Sequence, residues 1–332
     1  MSTLPRAVFL SSRPESQMDA VFSPASRAVI RRRAALDDAI FLPDNVPADA
    51  EYVFSTWGMP DLTEAFLAER LPALKAVFYG AGSVQHFARP FLARGINVHS
   101  AWGANAVPVM ETTVAEIVLA NKGFYQSSRL FREQGKSAAR ALLDHYPGNF
   151  DTSVGLLGCG MIGSMVADRL REYRLAVKVF DPFVSDEKLA ALGASRASLE
   201  EIFSECGVIS NHLANNDQTK GMLTYGLFSR MLPYATFLNT GRGAQLVEAD
   251  LVRALEEVPT RTAVLDVTFP EPPEAGHPFY TLPNVILTPH LAGSHRREVA
   301  RMGEYMAEEF ERVLSGQAPK WRVTEKMLET MA

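Results

Sequence analysis

Three polar residues in the last third of the chain stand where apolar runs end. They are Arg242 in "LNTGRGAQL", Glu271 in "LDVTFPEPP" and His290 in "VILTPHLAGSH", with Asp266 a few residues ahead of Glu271. Imidazole is the side chain whose ordinary titration suits proton transfer near neutral pH. Arg242 lies between Gly241 and Gly243, which leave a guanidinium room for a bidentate pair with a carboxylate. Glu271, between Pro270 and Pro272, sits in a stiff loop able to fix a carboxylate against an imidazole. Each residue also has a plainer reading: a packing His, a surface Arg in a glycine turn, a solvated loop acid, and an Asp266 that only caps its loop.

A second group of residues speaks of a nucleotide. "VGLLGCGMIGSMVADRL" carries Gly158, Gly160 and Gly163 in G-x-G-x-x-G order, after an apolar strand and at the start of a helical pattern. In that context the first glycine permits a tight turn, the second lets backbone amides approach a pyrophosphate at the helix N-terminus, and the third allows close packing of helix on sheet. Asp181 follows Gly163 by eighteen residues, near the spacing of an acid that accepts from the adenosine ribose. A carboxylate there repels a 2′-phosphate, which favours NAD over NADP, and Lys178 and Arg174 are near enough in sequence to weaken that preference. Cys159 inside the loop reads as a small apolar filler.

The elements that must position these groups form an alternating α/β pattern, the signature of parallel sheets. Strands of a first sheet are expected at 6–12, 51–57, 75–82 and 96–102. Those of a second are expected at 153–160, 175–181, 206–212, 235–241, 262–268 and 284–290. Between the series, 108–143 keeps helical spacing and is only weakly interrupted by Gly123 and Gly135, so the domain junction is placed there. Val299, Met302, Met306, Phe310 and Val313 share one face of a terminal helix that needs a surface to cover.

With 332 residues the chain is long enough for two domains, and 47% hydrophobic residues, 21% charged residues and a formal net charge of -5 are ordinary for a soluble protein. No basic excess points to nucleic acid, and no run approaches the ~18 apolar residues of a membrane span. Two cysteines without C-x-x-C spacing argue for a reducing compartment and against a structural metal. The N-terminal apolar run is too short for a signal peptide, so a cytoplasmic location is expected.

In this order and spacing, the glycine fingerprint, Arg242, Glu271 and His290 resemble the D-isomer-specific 2-hydroxyacid dehydrogenase family. The matched stretches are "VAE" (114–116), "LLGCGMIG" (156–163), "NTGRG" (239–243), "DVTFPEP" (266–272) and "TPHLAGS" (288–294). The resemblance implies an α/β chain of two Rossmann-like, doubly wound, mostly parallel domains. A discontinuous flavodoxin-like substrate domain would take 1–109 and 297–332. The NAD-binding domain would take 110–296, with a dimerisation arm at 110–150 that makes a homodimer. It implies NAD-dependent, reversible reduction of a small 2-oxo acid to a D-2-hydroxy acid. His290 would be the acid/base, Glu271 its partner and Arg242 the substrate anchor. Asp266 would contact the nicotinamide carboxamide. Gly158, Gly160, Met161, Ile162, Gly163, Asp181, His212, Thr240, Gly241, Arg242, Asp266, His290 and Gly293 would line the coenzyme. Gly82 and Ser83 in the "GAGS" loop would meet the substrate carboxylate through backbone amides, with Trp57, Arg242 and His290 also lining the substrate. Two alternatives go with the resemblance: a non-catalytic NAD(H)-responsive regulator on the same scaffold, and a dehydrogenase for a phosphorylated substrate such as 3-phosphoglycerate, with Arg89 and Arg94 as nearby cations. Met161 stands where a basic residue is common, and Ala214 and Asn215 where a proline and a bulky residue are usual.

Overall fold

The computed structural model describes residues 4–13 and 17–329. In chain order the elements are β1 (Arg6–Leu10), α1 (Met18–Val21), α2 (Pro24–Arg31), β2 (Ala35–Phe41), β3 (Tyr52–Ser55), α3 (Glu64–Arg70), β4 (Ala76–Tyr79), α4 (Ala88–Ala93) and β5 (Asn97–Ser100). Then come α5 (Trp102–Asn121), α6 (Phe124–Gln134), α7 (Lys136–Leu142), β6 (Phe150–Leu157), α8 (Met161–Leu170), β7 (Arg174–Phe180), α9 (Asp186–Ala191) and β8 (Ala194–Arg196). The chain continues with α10 (Leu199–Glu205), β9 (Val208–Asn211), α11 (Tyr225–Phe228), β10 (Thr236–Asn239), α12 (Glu248–Glu257), β11 (Thr262–Leu265), β12 (Val285–Leu287) and α13 (Val299–Leu314). It divides into two compact units, 1–106 with 294–332, and 107–293.

The first unit holds a five-stranded sheet of order β2-β1-β3-β4-β5, parallel throughout. Its inner strands read as unbroken apolar runs because helices cover both faces. Phe9, Phe22, Phe54, Phe78 and Phe310 are all fully buried in its core. Phe310 brings the apolar face of α13 onto the sheet, meeting Phe54 and Phe78 edge-on with ring centroids 5.3 and 5.2 Å apart. That face carries buried Val299, Met302 and Met306, the 3.6-residue stripe legible in the sequence.

The second unit holds a seven-stranded parallel sheet of order β12-β11-β10-β9-β6-β7-β8. The strand order reverses between β6 and β9, and ligands of open α/β sheets bind beyond the strand ends at such a reversal. Both units are therefore Rossmann-like α/β domains.

Two strands escaped the sequence reading. β2, "ALDDAIF", and β8, "ASR", are outermost in their sheets and have no fully buried residue, so neither carries the apolar run that marks a buried strand. The long helical stretch is also three helices rather than one. Gly123 and Gly135 adopt φ of 66° and 84° and separate α5, α6 and α7, while α5 starts at Trp102, ahead of 108. A left-handed residue ends a helix outright, so these glycines interrupt more strongly than their spacing suggested.

Candidate active site

His290 follows β12 by three residues and takes a left-handed backbone, φ 54°. That conformation costs a side-chain-bearing residue on the order of 1 kcal/mol and persists only where neighbours fix it. The fixing group is Asp266, buried just past the end of β11. Its Oδ1 accepts from the Thr288 hydroxyl at 2.5 Å and from the Leu291 amide at 2.8 Å, and its Oδ2 accepts from the Ala292 amide at 2.9 Å. Asp266 thus caps a loop, but the one that carries His290 rather than the one that follows it in sequence.

The imidazole of His290 meets Glu271, with Nδ1 and Oε1 2.7 Å apart. A carboxylate can only accept, so Nδ1–H donates to it and Nε2 is the nitrogen left for proton exchange. Both side chains remain partly open to solvent. Arg242 lies close enough for the Glu271 charge to act on it. Burial lowers the Arg242 pKa from its ordinary value, and Glu271 acts in the opposite sense. Its Nη1 donates to the Gly241 carbonyl at 2.8 Å. Imidazole, carboxylate and guanidinium therefore converge beyond the ends of β10, β11 and β12.

Their loops are held by residues that pattern reading passed over. Asn211, Asn239 and Gln245 are fully buried. The Asn211 Nδ2 donates to Asn239 Oδ1 at 3.0 Å and to Gln245 Oε1 at 2.6 Å, and Asn239 Nδ2 donates to the Arg242 carbonyl at 3.1 Å. This amide network ties the Arg242 loop to the end of β9, since Gln245 Nε2 also donates to the Leu213 carbonyl at 2.6 Å. Gln245 lies inside the quoted "LNTGRGAQL", where its only signal was a polar residue in an apolar setting. Glu248 accepts from the Phe269 amide at 2.8 Å and so steadies the Glu271 loop. The two loops touch where Gly243 meets Thr268: a Cβ on Gly243 would lie 2.0 Å from the Thr268 carbonyl carbon.

The glycine loop fits a dinucleotide. Gly158 has φ 93° and packs on the His212 backbone, and a Cβ on Gly163 would lie 2.1 Å from the Gly158 carbonyl oxygen. Gly160 faces open space and caps α8 without a side-chain bond, so the first-turn amides, from Met161 and Ile162 onward, are free for an anion. His212 bonds Ser210 through Nε2 at 2.9 Å, its Nδ1 is enclosed with no partner among the described residues, and burial lowers its pKa to about 4. It is a neutral ring with one hydrogen-bonding atom to spare.

Asp181 accepts from the amides of Cys159 at 2.6 Å, Phe183 at 2.8 Å and Val184 at 3.0 Å, locking the loop beside the helix start. The two cations expected to soften its selectivity are engaged elsewhere. Lys178 pairs with Glu205, and Arg174 with Asp151 at 2.7 Å. Thr240 is buried and bonds the Thr113 hydroxyl at 3.1 Å, the Gly241 amide donates to Asn239, and Gly293 ends the unit.

Gly82, Ser83 and Trp57 belong to the first unit. The carbonyls of Gly80, Ala81 and Gly82 are taken by Thr56, Ser100 and Ala101. Among the described residues, the amides of Gly82 and Ser83 have no partner. Trp57 is partly exposed after β3, whereas Met59 is buried. Arg89 donates to Gln85 at 3.3 Å. No group of three or more His, Cys, Asp or Glu among the described residues could hold a metal, and no helix among them is long and apolar enough to cross a membrane.

A sheet with the dinucleotide strand order, carrying a His–Glu pair beside an Arg at its C-terminal edge, defines a Rossmann-type nucleotide-binding scaffold with an acid–base pair. Residues 114–292 match the family model described as D-isomer specific 2-hydroxyacid dehydrogenase, NAD binding domain, and the chain belongs to that family. It is 29% identical over 67% of its length to the D-3-phosphoglycerate dehydrogenase of Archaeoglobus fulgidus, and 36% identical over 46% to glyoxylate/hydroxypyruvate reductase A of Serratia proteamaculans. These matches span 42% and 48% of the relatives' own lengths, so the chain covers about half of the curated relatives it matches. The crystal structure of a phosphoglycerate oxidoreductase from Rhizobium etli superposes with a TM-score of 0.80 at 23% identity, covering 98% of this chain and 99% of that one. At that identity the likeness speaks for the fold.

Proposed function

We propose that this chain is an NAD(H)-dependent dehydrogenase that interconverts a small 2-oxo acid and the corresponding D-2-hydroxy acid. The observation that carries the reading is the 2.7 Å contact between His290 and Glu271, with Arg242 beside it at the C-terminal edge of the dinucleotide sheet. The coenzyme, when bound, supplies or takes up the hydride. His290 gives its Nε2 proton to the carbonyl oxygen as the alcohol forms and takes it back in the reverse direction. Glu271 fixes the ring and offsets its charge, and Arg242 binds the carboxylate and polarises the carbonyl. Gly158, Gly160, Gly163 and the first turn of α8 would hold the pyrophosphate, and Asp181 the ribose, with NAD preferred over NADP.

The strand order β2-β1-β3-β4-β5 supports a flavodoxin-like substrate domain in the first unit, with the free amides of Gly82 and Ser83 as anion donors and Trp57 as an apolar wall. Leu119, Phe124 and Phe131 are exposed on α5 and α6, which supports the 110–150 arm as a homodimer contact; light scattering of the purified protein tests it. A cytoplasmic location goes with this reading.

NADH oxidation with glyoxylate, hydroxypyruvate, pyruvate, bulkier oxo acids and 3-phosphohydroxypyruvate, repeated with NADPH, tests the assignment. Turnover on an unphosphorylated oxo acid supports it. Tight NADH binding without turnover on any acid would make the chain a coenzyme-responsive regulator. Turnover on the phosphorylated acid alone would make it a phosphoglycerate-type dehydrogenase.

A further inference from the structure

Glu116 is a buried carboxyl that the proposed mechanism does not use. It lies on α5 one turn beyond Thr113, whose hydroxyl bonds that of Thr240 at 3.1 Å just past the end of β10. Asp266, just past the end of the neighbouring β11, is close enough for its charge to act on Glu116. The side chain is nine-tenths buried, and its Oε2 is enclosed with no hydrogen-bond partner among the described residues. Buried polar atoms are partnered in the great majority of proteins, so an orphan beside a ligand-binding strand edge calls for a reason.

We propose that Glu116 is a proton-carrying residue that distinguishes the two redox states of the nicotinamide ring, keeping its proton beside the neutral reduced ring and releasing it beside the cationic oxidised ring. The inference rests on the coenzyme reading given above. Its ground is placement: Thr113, one turn before Glu116, bonds Thr240 just past the end of β10, and Asp266, just past the end of β11, both acts on Glu116 and holds the loop that carries His290.

The groups around it leave it free to play this part. Asp266, from the end of β11, is the charge that acts on it, and being negative it favours the protonated form. Tyr125, from α6, is held neutral by burial. Thr240, beyond β10, carries no charge. His290 turns its Nδ1 to Glu271, and Arg242 lies within reach of the Glu271 charge and bonds the Gly241 carbonyl, so the contacts of both side chains go to other groups. Burial first and Asp266 second raise the Glu116 pKa to about 7, so near neutral pH a nearby positive charge decides its state. The balance is simple: binding of the oxidised coenzyme to the protonated enzyme releases one proton to solvent, whereas binding of the reduced coenzyme releases none. Lower pH then favours the reduced complex, the form that enters oxo-acid reduction.

The test is equilibrium binding. Dissociation constants for NAD⁺ and NADH are measured between pH 5.5 and 8.5 by titration calorimetry in buffers of different ionisation enthalpy, for wild type, Glu116→Gln and His290→Asn. In the wild type, NAD⁺ affinity should rise with pH, by up to about tenfold per unit below neutrality, with roughly half a proton released at pH 7. NADH affinity should change far less. Glu116→Gln should abolish the NAD⁺ dependence while still binding NADH, and His290→Asn should retain it. A dependence that persists in Glu116→Gln, or that vanishes in His290→Asn, overturns the inference. If Glu116→Gln does not fold, proton uptake and release by wild type and His290→Asn decide alone: release on NAD⁺ binding in both supports the role, and none in either removes it. Failure of the wild type to bind either dinucleotide would instead defeat the coenzyme reading.

Discussion

The Asp266 carboxylate accepts from the Thr288 hydroxyl at 2.5 Å, joining the ends of two neighbouring parallel strands at the point where the His290 loop departs. Asp266→Asn keeps the shape but turns an NH₂ toward backbone donors. We expect a loss of about 1–3 kcal/mol of stability from the unpaired groups and a fall in kcat larger than that of Thr288→Val, whose loss is about 1 kcal/mol. Thermal denaturation together with steady-state oxo-acid reduction checks both.

His290→Ala removes the proposed proton donor. Oxo-acid reduction should drop by about 10² to 10⁴, while the dissociation constant for NADH stays near wild type. Glu271→Gln, which leaves the imidazole in place but without its counter-charge, should cost less than His290→Ala. Single-turnover rates with preformed NADH complex separate the two, and wild-type rates in His290→Ala would remove His290 from the chemistry.

Gly243→Ala forces the backbone at Thr268 to move, because the new methyl would stand 2.0 Å from its carbonyl carbon. The displaced segment leads to Glu271. We expect about 1–3 kcal/mol of destabilisation and a kcat defect out of proportion to any change in NADH binding. Arg242→Lys, by contrast, should chiefly raise the KM for the oxo acid, since a point charge lacks the planar fork; an unchanged KM would place the anchor elsewhere.

Stability at acid pH should report a different pair. Glu309 on α13 is buried, which works against its charge. Hydrogen bonds from His99 at 2.9 Å and from the amides of Trp321 and Lys320 outweigh that burial and hold its pKa below the ordinary value. A depressed carboxyl contributes stability above its unfolded pKa of about 4.3, which is lost as pH falls through the folded value. Tm of the wild type should fall below about pH 4, and Glu309→Gln should be less stable at pH 7 and less sensitive to acid.

The buried strands, the glycine fingerprint and the α13 stripe could be read from the chain because each rests on a local period or spacing. β2 and β8 could not, since every residue of these two outer strands is at least partly exposed and needs no apolar run, whereas β5, also outermost, is largely buried. The break at Gly123 and Gly135 was visible as two letters, but only their left-handed φ values made them helix ends. Asp266 stood out in the chain, but its partners did not: the plainer reading had it capping its own loop, whereas its oxygens serve residues twenty-two or more positions away.

By itself the sequence singled out the candidate side chains and the strands that must be buried, because residue type and spacing mark both. Tertiary structure alone decided that His290, Glu271 and Arg242 meet, that Lys178 and Arg174 are spoken for, and that the buried Glu116 Oε2, within reach of the Asp266 charge, has no partner among the described residues. Those are distances between segments far apart in the chain, and they exist only once parallel strands have been laid side by side.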